Sequence, residues 1–360
     1  MQEKRFIYET EEYKYYLVPE DEGAEGAFFV NHEKANDRGG HFGHAMVECP
    51  NGDIIAWYPN CNADNGGHSG RGWMEYKRSS DKGITWTEGK PFPYSKTLWD
   101  LNLGMSVINE KAIVADDGTI ILFNLICDVA TDALWEPYFA PTYILSRDNG
   151  ETWETAKRFT SLHGRVFDVY KRNGMIYVLF EAGFSSDPKK LGFRLYCSLD
   201  NGKTFFLRSS IPFDLRGRYY GNLEELEDGS LIAYTYNEDN EYYIEYSTSS
   251  DDGKSWSEVK TTYFPNRIRN PQIIKFKDTY FAFGRSGGYG EDFGHIAMYC
   301  SPDGLNWNDG LIIARRRAGV CAYSNPILIG GGEKILYQSS HSYRLNLTNV
   351  RHWFIEAEKK

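Results

Sequence analysis

Ser249-Ser250-Asp251-Asp252-Gly253-Lys254-Ser255-Trp256 reads Ser-x-Asp-x-Gly-x-Ser-Trp, and its recurrence decides the fold. Aspartate accepts hydrogen bonds from nearby amides, and glycine takes the positive φ of a tight hairpin, so each copy is a turn between two strands. Ser79-Ser80-Asp81-Lys82-Gly83-Ile84-Thr85-Trp86 and Ser146-Arg147-Asp148-Asn149-Gly150-Glu151-Thr152-Trp153 are full copies. Ser198-Leu199-Asp200-Asn201-Gly202-Lys203-Thr204-Phe205 ends on phenylalanine, and Ser301-Pro302-Asp303-Gly304-Leu305-Asn306-Trp307 is one residue short. The aspartates fall roughly 50 residues apart, a period that belongs to blades or solenoid units.

Working outward from these turns divides the chain into six units: 41–86, 102–153, 164–205, 218–256, 267–307 and 319–357. Each reads as a short inner strand, a turn, a second strand, a variable loop, a third strand and the repeated turn. The sixth turns at Gly330-Gly331-Gly332 and has neither the repeated turn nor room for a fourth strand. Residues 5–18 alternate as a strand, and residues 21–40 read as a polar loop. A closed ring leaves no exposed sheet edge. The expectation is therefore all-β: one domain over 1–360, a six-bladed propeller of four-stranded antiparallel blades, its last blade closed by the N-terminal strand 5–18. A seventh blade would need a unit that the chain does not contain.

Thirty-five glycines and 16% aromatic residues suit many short strands joined by turns. No amphipathic helical run stands out. The formal charge of -10 argues against nucleic acid or an anionic membrane as partner. No apolar run is long enough to span a bilayer. Cys49, Cys61, Cys127, Cys197, Cys300 and Cys321 are scattered without a Cys-x-x-Cys, which argues against zinc and for buried thiols. Residues 1–5 lack the apolar core of a signal peptide, which leaves a cytoplasmic protein and an exported one with its signal trimmed as the alternatives.

The repeated turns resemble the Asp-box, or BNR repeat, of the sialidase (neuraminidase) superfamily, and five copies cover most of the chain. The resemblance implies a propeller in which each box joins the third and fourth strands of a blade, away from the catalytic face. Ala322-Tyr323-Ser324-Asn325 resembles the superfamily's Ala-Tyr-Ser segment, whose tyrosine is the nucleophile. Phe283-Gly284-Arg285 stands where the resemblance places the third arginine of a carboxylate-binding triad. The loop 62–68 stands where the acid/base aspartate lies, with Asp64 the nearest match and His68 beside it.

The chain also departs from that pattern. His41-Phe42-Gly43-His44-Ala45-Met46 replaces the opening Arg-Ile-Pro motif, so the first triad arginine is missing. The second should fall near Tyr236, and the glutamate that activates the tyrosine near Tyr220. One arginine of three is matched. A tyrosine of ordinary pKa near 10 is a poor nucleophile without a base. Divergence at the triad therefore argues for a substrate other than sialic acid.

A propeller's site lies over its central channel, at the starts of inner strands and the ends of second strands. Position alone then nominates the residues. Tyr323, Asp64, His44, Tyr220 and Glu181 are the catalytic candidates. Arg285, Arg269, Arg165, His41, His68, Asn222, Tyr236, Asn270 and Asn325 are candidates for binding substrate. Arginines gathered on one face of an acidic protein suit a sugar carboxylate, and His44 can move protons near neutral pH. Taken singly, each arginine or acid is more often structural, and only their convergence points to a site.

Three functions follow. The first is a glycoside hydrolase of the sialidase-like superfamily acting on an acidic non-sialic glycan. The second is a polysaccharide lyase that cleaves a uronate-containing glycan by histidine/tyrosine elimination. The third is a non-catalytic glycan-binding propeller. In each case the partner is an oligo- or polysaccharide, and the chain is a monomer or small homo-oligomer. No cofactor is required. Calcium suits aspartate-rich turns, but no Asp-x-Asp-x-Asp loop demands it.

Overall fold

The described residues hold twenty-six strands, and 24 of them form six four-stranded antiparallel arrays around one axis. The structure is a computed structural model, and it describes residues 3–19, 27–62, 70–130, 138–183, 188–214, 218–286, 294–319, 322–345 and 347–360. The inner strands are Met46–Glu48, Met105–Val114, Arg165–Arg172, Arg218–Glu225, Ile268–Phe276 and Ser324–Ile329. Each pairs with a buried second strand: Ile54–Cys61, Ile120–Asp128, Met175–Ala182, Leu231–Asn237, Thr279–Ser286 and Lys334–Arg344. The second strands are nearly continuous apolar runs because both their faces pack against neighbouring blades. The molecule is a six-bladed propeller, as the sequence period predicts.

The closure differs in detail from the expected single strand over 5–18. Two strands form there, Arg5–Glu9 and Tyr13–Val18, folded back on each other at Thr10. Tyr13–Val18 pairs with Leu347–Lys359 as the fourth strand of the last blade, and Arg5–Glu9 adds a fifth. Alternation alone cannot reveal such a reversal, because the apolar period continues on both sides of the polar Glu11-Glu12 corner. The segment read as a polar loop holds Phe28–Val30, which also pairs with Leu347–Lys359, and the short helix His32–Ala35. A second helix, Pro93–Asp100, opens on a proline at its first turn.

The repeated turns lie between third and fourth strands and are built alike. Ser249 Oγ donates to Asp251 Oδ1 (2.7 Å), and the Gly253 amide donates to Ser249 Oγ (2.9 Å). Asp251 also accepts from the Ser255 amide and hydroxyl (2.9 and 2.6 Å). Asp81, Asp148 and Asp200 repeat this with Thr85, Thr152 and Thr204. Glycine is needed twice over. At Gly253 φ is 75°, and an added Cβ would lie 2.3 Å from Leu195 Cδ2 of the preceding blade. The same turn that reverses the chain therefore welds one blade to the next. Among the cysteines, Cys49, Cys197 and Cys300 are buried thiols outside any disulfide, and Cys321 lies outside the described residues.

Candidate functional site

Inner strands begin, and second strands end, at the same mouth of the channel. Four inner strands carry extra residues near that level. Their registers slip between Asn109 and Lys111, Val166 and Asp168, Tyr219 and Gly221, and Arg269 and Gln272. The residues left out of the ladders are Glu110, Phe167, Tyr220 and the Asn270-Pro271 pair. A bulge re-aims a side chain without ending the strand. Tyr220 (φ 55°), Asn270 (φ 53°) and Ala322 (φ 62°) also take the left-handed backbone that non-glycine residues avoid. Such strain gathers at functional sites.

Glu110, Phe167 and Tyr220 line one cavity together with Phe42, His44, Arg165 and Tyr323. Its volume is about 20 Å³, enough for one water and too small for a sugar ring. A sugar must sit above it, at the mouth. Arg165 is the hub of the cavity. Its guanidinium donates to Glu110 Oε2 (2.7 Å) and to the Tyr220 hydroxyl (2.8 Å), and it lies 5.1 Å from the Phe42 ring and 5.2 Å from that of Phe167. Burial pushes the Glu110 carboxyl above its usual range, and Arg165 opposes that rise. Glu110 Oε1 has no hydrogen-bond partner among the described residues.

The tyrosine ring of residue 323 lies 5.8 Å from Tyr220 and 5.5 Å from His41. Burial raises its pKa, while Arg285, Arg165, Arg269 and a hydrogen bond with Asn270 act to lower it. So the three nominated arginines do converge, on one phenol. They are not equivalent. Arg165 is neutralised by Glu110, and Arg269 forms ion pairs with Glu241 (3.1 Å) and Glu238 (3.5 Å). Arg285 is 7% exposed, and no described residue supplies its guanidinium with a carboxylate or a hydrogen bond. Tyr236 packs beside Arg269, and burial pushes its hydroxyl up to about 12.

Both histidines of the opening segment are buried. His44 Nε2 donates to the His41 carbonyl (3.1 Å), and Nδ1 meets the Gln338 side chain (3.2 Å). Burial lowers its pKa to about 4, and that of His41 to about 3 with Arg285 adding to the effect. Both rings are neutral at physiological pH, and both nitrogens of His44 are engaged in holding the chain. Glu181 is the opposite case. It ends the second strand of the third blade, paired in register with Arg165, and is 7% exposed. Burial raises its pKa to about 8, with Arg165 opposing. At neutral pH it therefore holds its proton.

On the wall of the same cavity, Lys111 ties four blades together. Its ammonium donates to Gln272 (2.5 Å) and Asn325 (2.7 Å) and pairs with Asp168 (3.4 Å). Asn325 in turn donates to the His44 carbonyl (2.9 Å), and Asn222 reaches Asp168 (3.5 Å). Of the two asparagines nominated for substrate, Asn325 lines the cavity while bonded to Lys111 and His44, and Asn222 is buried against Asp168. Asp64 and His68 lie outside the described residues.

Glu110, Lys111, Gln272, Gln338 and Glu241 escaped the sequence reading. One signal existed for the first two: a charged Glu-Lys pair interrupts the apolar inner strand Met105–Val114. Among the described residues no cluster of histidine, cysteine, aspartate and glutamate could hold a metal ion, and no helix is long and apolar enough to cross a membrane.

No protein family model and no curated protein matches the chain. Solved structures do. A Dyadobacter fermentans protein of unknown function aligns with a TM-score of 0.68 at 14% identity, covering 90% of this chain and 96% of that one. The intramolecular trans-sialidase of Ruminococcus gnavus, solved with oseltamivir carboxylate, aligns at 0.63 and 11%, covering 93% and 98%. The alpha-L-arabinanase of Penicillium chrysogenum, solved with arabinobiose, aligns at 0.56 and 14%, covering 92% and 97%. Identities this low carry the architecture and not the activity. The chain has the six-bladed propeller fold of the sialidase-like kind.

Proposed function

We propose that this protein is a glycoside hydrolase acting on a glycan whose reacting sugar bears a carboxylate. The observation that carries this reading is Arg285. It is a buried cation beside Tyr323 with no carboxylate among the described residues. An isolated buried charge is expensive, so it suits a site completed by an anionic ligand. Similarity to a trans-sialidase and an arabinanase in fold supports a sugar substrate by analogy only.

In this reading the sugar carboxylate pairs with Arg285, and Tyr323 Oη bonds to the anomeric carbon as the glycosidic C–O bond breaks. Glu181, protonated at neutral pH, gives its proton to the departing oxygen. The phenolic proton passes to Glu110 Oε1 through the water-sized cavity that both groups line. Water then attacks the glycosyl-tyrosine, giving its proton to Glu181, and as the sugar–tyrosine bond breaks Glu110 returns its proton to Tyr323 Oη, which frees the sugar and restores both groups. His44 is a positioning residue, since Asn325 and Gln338 hold it against the segment that carries Tyr323.

Elimination would need a competent base near the sugar ring. His41 and His44, neutral and weakened to about 3 and about 4, make poor ones, so hydrolysis is favoured over a lyase. The test is a panel of acidic polysaccharides and aryl glycosides followed for reducing ends and ultraviolet absorbance together. Reducing ends without absorbance are expected. Absorbance rising in step with them would replace the hydrolase by a lyase, and binding without turnover would leave only a glycan-binding propeller.

A further inference from the structure

The rim of the channel mouth at the fourth blade carries three exposed tyrosines. Tyr242, Tyr243 and Tyr263 are 41%, 39% and 50% exposed, in a protein whose other aromatic rings are mostly buried. The Tyr242 and Tyr263 rings lie 6.1 Å apart and within 14° of parallel, and Tyr243 stands 5.4 Å from Tyr263. Exposed apolar surface costs free energy in water, and a clustered patch marks a binding surface more often than scattered residues do.

The patch is held rigidly. The Tyr242 carbonyl accepts from the Phe264 amide (2.7 Å), and the Glu241 carbonyl accepts from the Ile268 amide (3.0 Å). Tyr243 and Tyr263 are paired across the third and fourth strands. Beneath, Phe264 is fully buried and stacks on Trp307 at 4.8 Å. A platform fixed in this way loses little side-chain entropy when a ligand docks.

The patch is also continuous with the candidate site. The Arg269 guanidinium lies 5.9 Å from the Tyr236 ring, which neighbours Tyr220 and through it Tyr323; Arg269 forms an ion pair with Glu241 (3.1 Å), and Glu241 accepts from Arg267 (3.3 Å). The Arg267 guanidinium then lies 5.3 Å from the Tyr242 ring centre, and Tyr263 follows. The path runs from the reacting tyrosine to the platform through one chain of contacts. Along it the charges compensate each other, so the rim offers flat apolar faces edged by hydroxyls and not a second anion site. That is the chemistry of a pyranose ring: C–H groups on a face and hydroxyls at the edge.

We propose that the tyrosines at 242, 243 and 263 form a distal sugar-binding platform, occupied by uncharged or singly charged sugar units of the same glycan whose reacting unit lies at Tyr323. This deepens the hydrolase reading and rests on it for the inner half of the path. It assigns the protein to polymers or long oligosaccharides in preference to single glycosides.

Native affinity electrophoresis through gels holding polygalacturonate, alginate, hyaluronan or linear arabinan tests it. We expect at least one polymer to retard the wild type. Tyr242→Ala/Tyr263→Ala should then weaken retardation about tenfold, and Tyr242→Phe/Tyr263→Phe, which keeps the rings, should retain most of it. No retardation by any polymer would overturn the platform. So would retardation that Arg285→Ala abolishes and the double alanine variant leaves intact, although the inner site would then stand. Retardation lost in the tyrosine variant but kept in Arg285→Ala would uphold the platform and sink the anionic reading of the inner site.

Discussion

Replacing Glu181 by glutamine separates a catalytic acid from a merely buried one, because it moves stability and activity in opposite directions. The Glu181 pKa rises from its ordinary 4.5 to about 8 through burial. Such a group binds a proton in the folded state where the unfolded state has lost it. Its contribution to stability is present at acid pH and is lost as pH rises through the window from 4.5 to about 8. A rise of that size corresponds to a ceiling of about 5 kcal/mol above pH 8, and water entering the mouth will reduce this to about 1–3 kcal/mol. Glutamine is isosteric and never ionises. Glu181→Gln should match the wild type in denaturant midpoint at pH 5 and exceed it at pH 9. Glu224 also stands at about 8 through burial, but it accepts the Lys275 amide (3.0 Å) within the scaffold. Glu224→Gln should therefore share the gain at pH 9 without sharing the catalytic loss. On a cleaved glycan, Glu181→Gln should lower kcat by about 10²–10⁴ and erase the alkaline limb near pH 8. The assay is urea unfolding at pH 5 and pH 9 beside a kcat profile over the same range. A wild-type pH profile in Glu181→Gln, or equal wild-type and variant midpoints at pH 9, would refute the assignment.

Three further outcomes follow from the same geometry. Arg285→Ala removes a buried cation that has no carboxylate among the described residues, so it should raise stability by about 1–2 kcal/mol while kcat/KM falls about a hundredfold; a destabilised variant with normal kinetics would contradict both halves. Lys111→Met leaves Asp168 buried without its cation and should cost about 3–5 kcal/mol, and Lys111→Met/Asp168→Asn should recover most of it; additive losses in that double-mutant cycle would show that the two do not act together. Gly253→Ala meets both a left-handed backbone and Leu195 at 2.3 Å, whereas Gly229→Ala has φ 81° and open space around it. Gly253→Ala should then be the more destabilising by about 1–3 kcal/mol in thermal or urea unfolding; equal losses would mean that the turn glycine does not weld the blades.

The architecture was legible because it is written in local chemistry. Asp251 and Ser249 need only their own turn to form their hydrogen bonds, and the apolar run of Leu231–Asn237 needs only to be buried on both faces. Each survives repetition, so a period appears. The site was half legible for the converse reason. Arg165, Arg269, Arg285, Tyr220 and Tyr323 were placed by where inner and second strands begin and end, and the structure brings them together. Their partners were hidden. Glu110 reaches Arg165 because the ladder slips one residue at that point, and the charged Glu-Lys pair in the strand marks the slip without naming the partner. Gln338 engages His44 across 294 residues of sequence, a pairing no local pattern encodes. The pKa of His44 was hidden for the same reason, since the burial that lowers it to about 4 comes from segments distant in sequence.

The charges around the mouth also narrow the ligand. Among the described residues, Glu110 answers Arg165, Asp168 answers Lys111, and Glu241 with Glu238 answers Arg267 and Arg269. Glu181 is neutral at physiological pH. Arg285, buried near Tyr323, has no carboxylate partner among the described residues. A site built for a densely charged polymer would leave several cations uncompensated, because each desolvated anion needs its own partner. A guanidinium without a carboxylate among the described residues, beside the Tyr323 phenol, fits the single carboxylate of the proposed reacting sugar. A rim of tyrosines continuing from it fits neighbours that are recognised by their faces. Binding should accordingly weaken only modestly with salt, since one ion pair in a buried pocket is screened far less than a surface array. A steep loss of affinity between low and physiological ionic strength would show that the glycan is held by many charges instead, and would shift the site from Arg285 to the open surface.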